Sequence, residues 1–241
     1  MPDRPDYSGY RLESQRVTLD DMAELAARLG SPDVYDRQGT VIFMDCFNNG
    51  VVPYEIASAD LISNITLSVA TAEYGHYSLK LQTAIGTGFG GTVTKRVNPV
   101  RLNKSGFEIG INFVTTFNYY IFRVKQVHDT IQYLYQFYIY GDDKKVSYTN
   151  SAGTLTKLSD LPDLFSGVGM FRNIKFVIDL ANKEYVRLMI DDMLFSMTGL
   201  GASVIGTGFG DEIKIELLQH QTSDTVTTAY LGHMIATSDE I

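Results

Sequence analysis

Hydrophobic and polar positions change their period near Gly39. Before it, Leu19, Met22, Leu25, Ala26 and Leu29 fall on one stripe at helical spacing, with Asp20, Asp21, Glu24 and Arg28 turned away. Thr18 is placed to cap that helix, Asp21 follows three residues later, and Gly30 before Ser31-Pro32 ends it. The spacing predicts a helix at about 19–29 inside an N-terminal arm, residues 1–39. A helix this short does not persist alone in water, so the stripe of Leu19, Met22, Leu25 and Leu29 must be covered, and it reads as an assembly helix packing on another subunit or on its own domain.

After Gly39 the period becomes two. Phe107, Ile109, Ile111 and Phe113 alternate with Glu108, Gly110 and Asn112, and Tyr120, Phe122 and Val124 continue in the next strand. Ile131, Tyr133, Tyr135, Phe137 and Ile139 then alternate with Gln132, Leu134, Gln136, Tyr138 and Tyr140. Further strands are expected at 77–83, 174–180, 184–190, 193–197, 212–220 and 226–236. Turn clusters such as Ala181-Asn182-Lys183 and Asp191-Asp192 favour antiparallel hairpins. Pro162 makes 158–167 a loop with a helical turn rather than a strand. The expectation is a mainly β, two-sheet antiparallel jelly-roll sandwich over residues 40–241.

Composition narrows the function. A hydrophobic fraction of 44% and 21 glycines suit a packed core joined by tight turns. A net charge of -8 with no basic run argues against nucleic acid and acidic membrane surfaces as partners. Cys46 is the single cysteine, which excludes an intrachain disulfide, and it reads as a small buried strand residue. The opening MPDRPDYSGYRLESQ has no apolar signal core, so the expected site of synthesis is a cytoplasm.

The stretch Val41-Ile-Phe-Met-Asp-Cys-Phe-Asn-Asn-Gly50, then Tyr74-Gly-His-Tyr-Ser-Leu-Lys-Leu81, resembles the opening of concanavalin A-like, laminin G-like jelly rolls. Phe171–Leu180 with Glu184–Asp191 resembles their later hairpin, and Thr228-Ala-Tyr-Leu231 their closing strand. Arm plus sandwich is also similar to phage-encoded virion proteins. The first resemblance implies a fold that hosts lectins, glycosidases, lyases and structural modules alike. Related glycosidases carry a Glu-x-Asp-x-x-Glu or similar motif on one strand, and the nearest counterpart here is Glu212-Ile-Lys-Ile-Glu216. Lys214 between the carboxylates would hold both ionised, so Glu212 and Glu216 read as a solvated face. His220 after Gln219 lacks the spacing of the lyases and reads as an exposed strand end; His76, His128 and His233 are too scattered for a metal triad. The family's structural calcium would fall to Asp45 and Asn49, but the closing strand has no carboxylate to complete it. Ile-Gly-Thr-Gly-Phe-Gly occurs at 85–90 and again at 205–210, and reads as two equivalent hairpin loops.

One candidate surface follows from alternation. With Tyr120, Phe122 and Tyr135 inward, Tyr119, Arg123, Gln132, Gln136, Tyr138 and Tyr140 point outward together. Rings beside amide and guanidinium donors suit a sugar face or a protein interface, and the absence of Trp weighs against sugar. The expectation is a non-enzymatic virion accessory protein, such as a head-decoration subunit, that forms a homo-oligomer through its arm. A carbohydrate-binding, lectin-like module stands as the alternative, and a glycoside hydrolase or polysaccharide lyase as the third reading.

Overall fold

The computed structural model describes residues 39–240 except 52–53, 59–63, 84–88, 98–101, 116, 165–168, 209 and 221–225. The expected helix at 19–29, with Leu19, Met22, Leu25 and Leu29, lies outside the described residues.

Among the described residues sixteen strands follow in order: β1 (Thr40–Asp45), β2 (Glu55–Ser58), β3 (Asn64–Ser68), β4 (Ser78–Gln82), β5 (Phe89–Val97), β6 (Lys104–Phe113), β7 (Tyr119–His128) and β8 (Ile131–Tyr140), then β9 (Lys145–Thr149), β10 (Leu155–Asp160), β11 (Arg172–Asp179), β12 (Glu184–Ile190), β13 (Met193–Gly201), β14 (Ser203–Thr207), β15 (Glu212–His220) and β16 (Thr228–Ser238). Sheet A runs β13-β12-β11-β6-β16-β4-β3, with β1 also on β16; sheet B runs β10-β9-β8-β7-β15-β5-β2, with β14 also on β8. Every pairing is antiparallel, and the two sheets form a sandwich. Among the described residues there is no helix, and hence none long and apolar enough to cross a membrane.

Alternation builds the core. Phe107, Ile109, Ile111 and Phe113 of β6 face Tyr120, Phe122 and Val124 of β7 and Tyr135, Phe137 and Ile139 of β8, all buried. Phe176 of sheet A meets Phe122 at 4.7 Å and Phe137 at 5.0 Å, both edge to face, so one ring locks two strands of the opposite sheet. Tyr185 meets Tyr135 and Phe137 of β8 and Tyr148 of β9, again edge to face. Each such pair adds about 0.5–1.5 kcal/mol beyond its buried area. The β7–β8 hairpin turns on Asp129 and Thr130, both at positive φ, the geometry that matches strand twist across a two-residue turn.

Several local expectations are corrected. Residues 158–160 belong to β10 rather than a loop, because they pair along β9 before Pro162 can interrupt them. The second copy of the repeated hexapeptide is not a hairpin loop, since it starts inside β14, which pairs with β8; the first copy lies mostly outside the described residues. Cys46 lies just past β1 and is only half-buried.

Candidate functional site

The register of sheet B sets its outer face in rows across β8, β7, β15 and β5. Tyr140, Tyr119 and His220 stand abreast; two residues along come Tyr138, Ile121, Leu218 and Thr92; then Gln136, Arg123, Glu216 and Thr94; then Leu134, Lys125, Lys214 and Arg96; finally Gln132, Val127 and Glu212. Successive rows are ~6.8 Å apart, twice the rise of an extended residue.

The first two rows form an aromatic platform. Tyr119 stacks on His220 with centroids 4.1 Å apart and planes within 8°, and lies 5.6 Å from Tyr138 and 5.3 Å from Tyr140. Tyr138 and Tyr140 are themselves nearly parallel, at 18°. Lys145 on β9 sets its ammonium 4.5 Å above the Tyr140 ring, a cation–π contact that holds that end of the platform. The three tyrosines are half-buried, so each ring keeps an edge or face in solvent. Burial, reinforced by Tyr138 and Tyr140, pushes the Tyr119 phenol up, and burial pushes the His220 imidazole down; both are neutral stacking surfaces at neutral pH. The buried, stacked His220 replaces the exposed strand end expected of it: its strand end is covered by Tyr119 of the neighbouring strand.

The third row is polar and rigid. Gln136 Nε2 donates to the Tyr138 hydroxyl and, at 3.4 Å, to Thr149 Oγ1, while its backbone N–H donates to the Tyr185 hydroxyl at 2.7 Å. Tyr185 in turn donates to the Thr149 carbonyl, so a core ring from the other sheet pins the strand under the platform. Glu216 is buried rather than solvated: Oε2 accepts from Arg123 Nε, and Oε1 from Lys125 Nζ at 3.1 Å. Glu212 accepts from Lys214 at 2.8 Å and from Arg96 Nη1 at 2.7 Å, and Arg96 also clamps Glu55. Partial burial raises Glu212, but Lys214 and Arg96 outweigh it and hold that carboxyl below the usual range. General acid catalysis by a carboxyl pair needs one partner protonated and the other open to the substrate. Here each carboxylate is occupied by two cations.

Of the residues expected at the surface, Tyr119, Arg123, Gln136, Tyr138 and Tyr140 stand together over three adjacent rows. Gln132 shares the face but sits two rows beyond Gln136, ~14 Å off, beside β14. Of the two calcium candidates, Asp45 Oδ1 accepts the Phe47 N–H at 2.8 Å and closes a turn, and Asn49 is exposed. Among the described residues no group of three or more His, Cys, Asp or Glu side chains could hold a metal ion.

Sheet A carries a second cluster that spacing did not reveal. His233, expected to stand alone, is buried with Nδ1 2.8 Å from Glu73 Oε2 and Nε2 3.4 Å from Glu108 Oε1, and the Tyr74 ring lies against it. Lys175, opposite Glu108 across β11 and β6, donates to Glu240 Oε1 at 2.7 Å; Thr237 Oγ1 donates to that same oxygen at 2.6 Å and Arg187 to Oε2 at 3.0 Å. Two glycines inside strands signalled this approach: a Cβ on Gly110 would strike Glu73 and His233, and one on Gly232 would strike Glu73 and Phe171.

No family model matches the chain, and no curated protein matches it. Solved structures do. A conserved carbohydrate esterase from a Shiga toxin-encoding bacteriophage superposes with a TM-score of 0.59 at 14% identity, over 83% of this chain and 100% of that one. A cellulose-induced protein gives 0.53 at 14% identity, over 83% and 98%. A Bacillus licheniformis beta-glucanase gives 0.52 at 14% identity, over 84% and 100%. What these share with the chain is its fold, the two-sheet jelly-roll sandwich.

Proposed function

We propose that this protein is a non-hydrolytic carbohydrate-binding sandwich, and that the outer face of sheet B is where the glycan lies. The observation that carries the reading is the continuity of three rows: Tyr119, Tyr138, Tyr140 and His220 supply ring surface, and beside it Arg123, held by the buried Glu216, supplies a fixed donor while the buried Gln136 steadies the Tyr138 hydroxyl. Sugars are held by this combination, apolar C–H faces on rings and hydroxyls on oriented polar groups. A protein interface would instead deplete its centre of charge, whereas Arg123, Lys125 and Glu216 occupy the centre here. Double cation pairing of Glu212 and Glu216 supports binding without hydrolysis. The assembly role expected of the arm rests on residues outside the described structure and adds nothing to this face.

The test is a glycan array on the full chain, followed by titration of any hit against Tyr138→Ala. The expected result is binding in the millimolar range or tighter, lost in the variant at unchanged native mass. If the wild type binds no glycan and Tyr138→Ala instead shifts the oligomer, the face is a subunit interface and the reading fails.

A further inference from the structure

The fourth row of the same face has a chemistry of its own. Register sets Lys125 opposite Lys214, and Lys214 opposite Arg96, so three cations stand abreast on β7, β15 and β5. Like charges opposite one another across a sheet are destabilising. The arrangement is kept in a chain whose net charge is -8. Around it, Glu216 lies one row nearer the platform, Glu212 one row beyond, and Glu55 on the β2 edge. Adding Arg123, this end of the face sets four cations against three carboxylates.

These cations are placed to reach a ligand. Lys125 and Lys214 keep 22% and 21% of their side-chain surface, and Arg96 keeps 48%. Each ammonium carries three N–H donors, and one of them goes to a glutamate at 3.1 Å for Lys125 and 2.8 Å for Lys214. From the Tyr119 row to this one is six residues along β7, ~20 Å, the reach of a short oligosaccharide.

Resting on the glycan reading, we propose that the ligand is an acidic oligosaccharide, bound with a ring on the tyrosine platform and a carboxylate or sulfate group on Lys125, Lys214 and Arg96. Both anions offer several acceptor oxygens to donors fixed by their glutamates, and the row supplies donors from three strands without further ordering.

The experiment titrates the full chain with three hexasaccharides, a polyuronate, a sulfated galactan and a neutral glucan, at about 50 and 300 mM salt. The polyuronate or the sulfated galactan is expected to bind at least tenfold tighter than the glucan, with the advantage shrinking at high salt. The better of the two identifies the acid group. Lys214→Gln should reduce the ratio of acidic to neutral affinity several-fold, and Arg96→Gln, at a more exposed position, gives a second reading if the first variant loses its thermal transition. Glucan binding as tight as both acidic ligands, or an unchanged ratio in both variants, overturns the inference while leaving the glycan reading in place. No binding of any of the three, with Tyr138→Ala altering the native mass, removes both.

Discussion

Replacing Glu240 by Gln isolates what a shielded charge is worth in this sandwich. The Glu240 side chain is fully shielded, and Lys175 beside it retains 2% of its surface. One carboxylate accepts from Lys175, Arg187 and Thr237. The glutamine keeps the shape and one acceptor but leaves the buried ammonium of Lys175 facing Glu108 across the strand pair as its remaining carboxylate. Removing one partner of a buried pair costs about 3–5 kcal/mol, because the other charge stays out of water. Glu55→Gln provides the internal scale: that carboxylate is 58% exposed on an Arg96 that is 48% exposed, and its loss, screened by water, should shift the midpoint far less. Urea titration followed by circular dichroism reads both, as midpoint shifts at constant slope. Lys175→Met with Glu240→Gln should cost less than the two single changes summed, since the double variant leaves no orphaned ammonium. Equal losses for Glu240→Gln and Glu55→Gln would show that water reaches Glu240, and the argument from burial would fall.

Three further outcomes are expected. Burial lowers the His233 pKa, but Glu108 and Glu73 reverse this and leave it raised, so its contribution to stability is complete below about pH 6.5 and is lost as pH climbs through the folded-state value; thermal midpoints between about pH 5.5 and 9 should decline in the wild type and flatten in His233→Gln. Gly110→Ala should destabilise by about 1–3 kcal/mol, because a Cβ there enters the space of Glu73 and the His233 ring; a urea midpoint within error of wild type would mean the segment around Glu73 can simply move away. Reducing-end and unsaturated-product assays on common polysaccharides should give no turnover, and activity that vanished in Glu212→Gln or Glu216→Gln would make this sandwich an enzyme.

Strands with strict alternation were legible from residues alone. Glu184–Ile190 and Glu212–His220 carry their expected bounds, and Ile131–Tyr140 is one unbroken strand. The strands that escaped, β2, β3, β5, β9, β10 and β14, are short or carry runs such as Gly90-Gly91-Thr92 and Ser203-Val204-Ile205-Gly206, in which a period of two is weak. Their pairing comes from neighbours far along the chain. The outer face of sheet B could be assembled from alternation because its residues lie on two consecutive strands. Its buried carboxylate could not: Glu216 faces outward by period, and only the register of β15 against β7 brings Arg123 and Lys125 to it. Likewise, alternation put Glu108 on the side away from Phe107, but whether that side is covered is a property of remote segments such as Glu73. Period tells sidedness; it does not tell solvent.

The placement of β15 and β16 bears on how the protein is made. β15 pairs with β7 and β5 in the middle of sheet B, and β16 with β6, β4 and β1 in the middle of sheet A. A ribosome adding about 5–20 residues each second delivers both of these strands after the other fourteen described ones. Until then β6 and β4, and likewise β7 and β5, wait as separate ribbons with their central slot unfilled, each exposing unpaired backbone and half of a future core. The nascent chain must therefore hold two incomplete sheets apart from each other and from its neighbours on the polysome. Premature termination anywhere before Thr228 would yield not a smaller domain but two open edges, a natural substrate for chaperones and proteases.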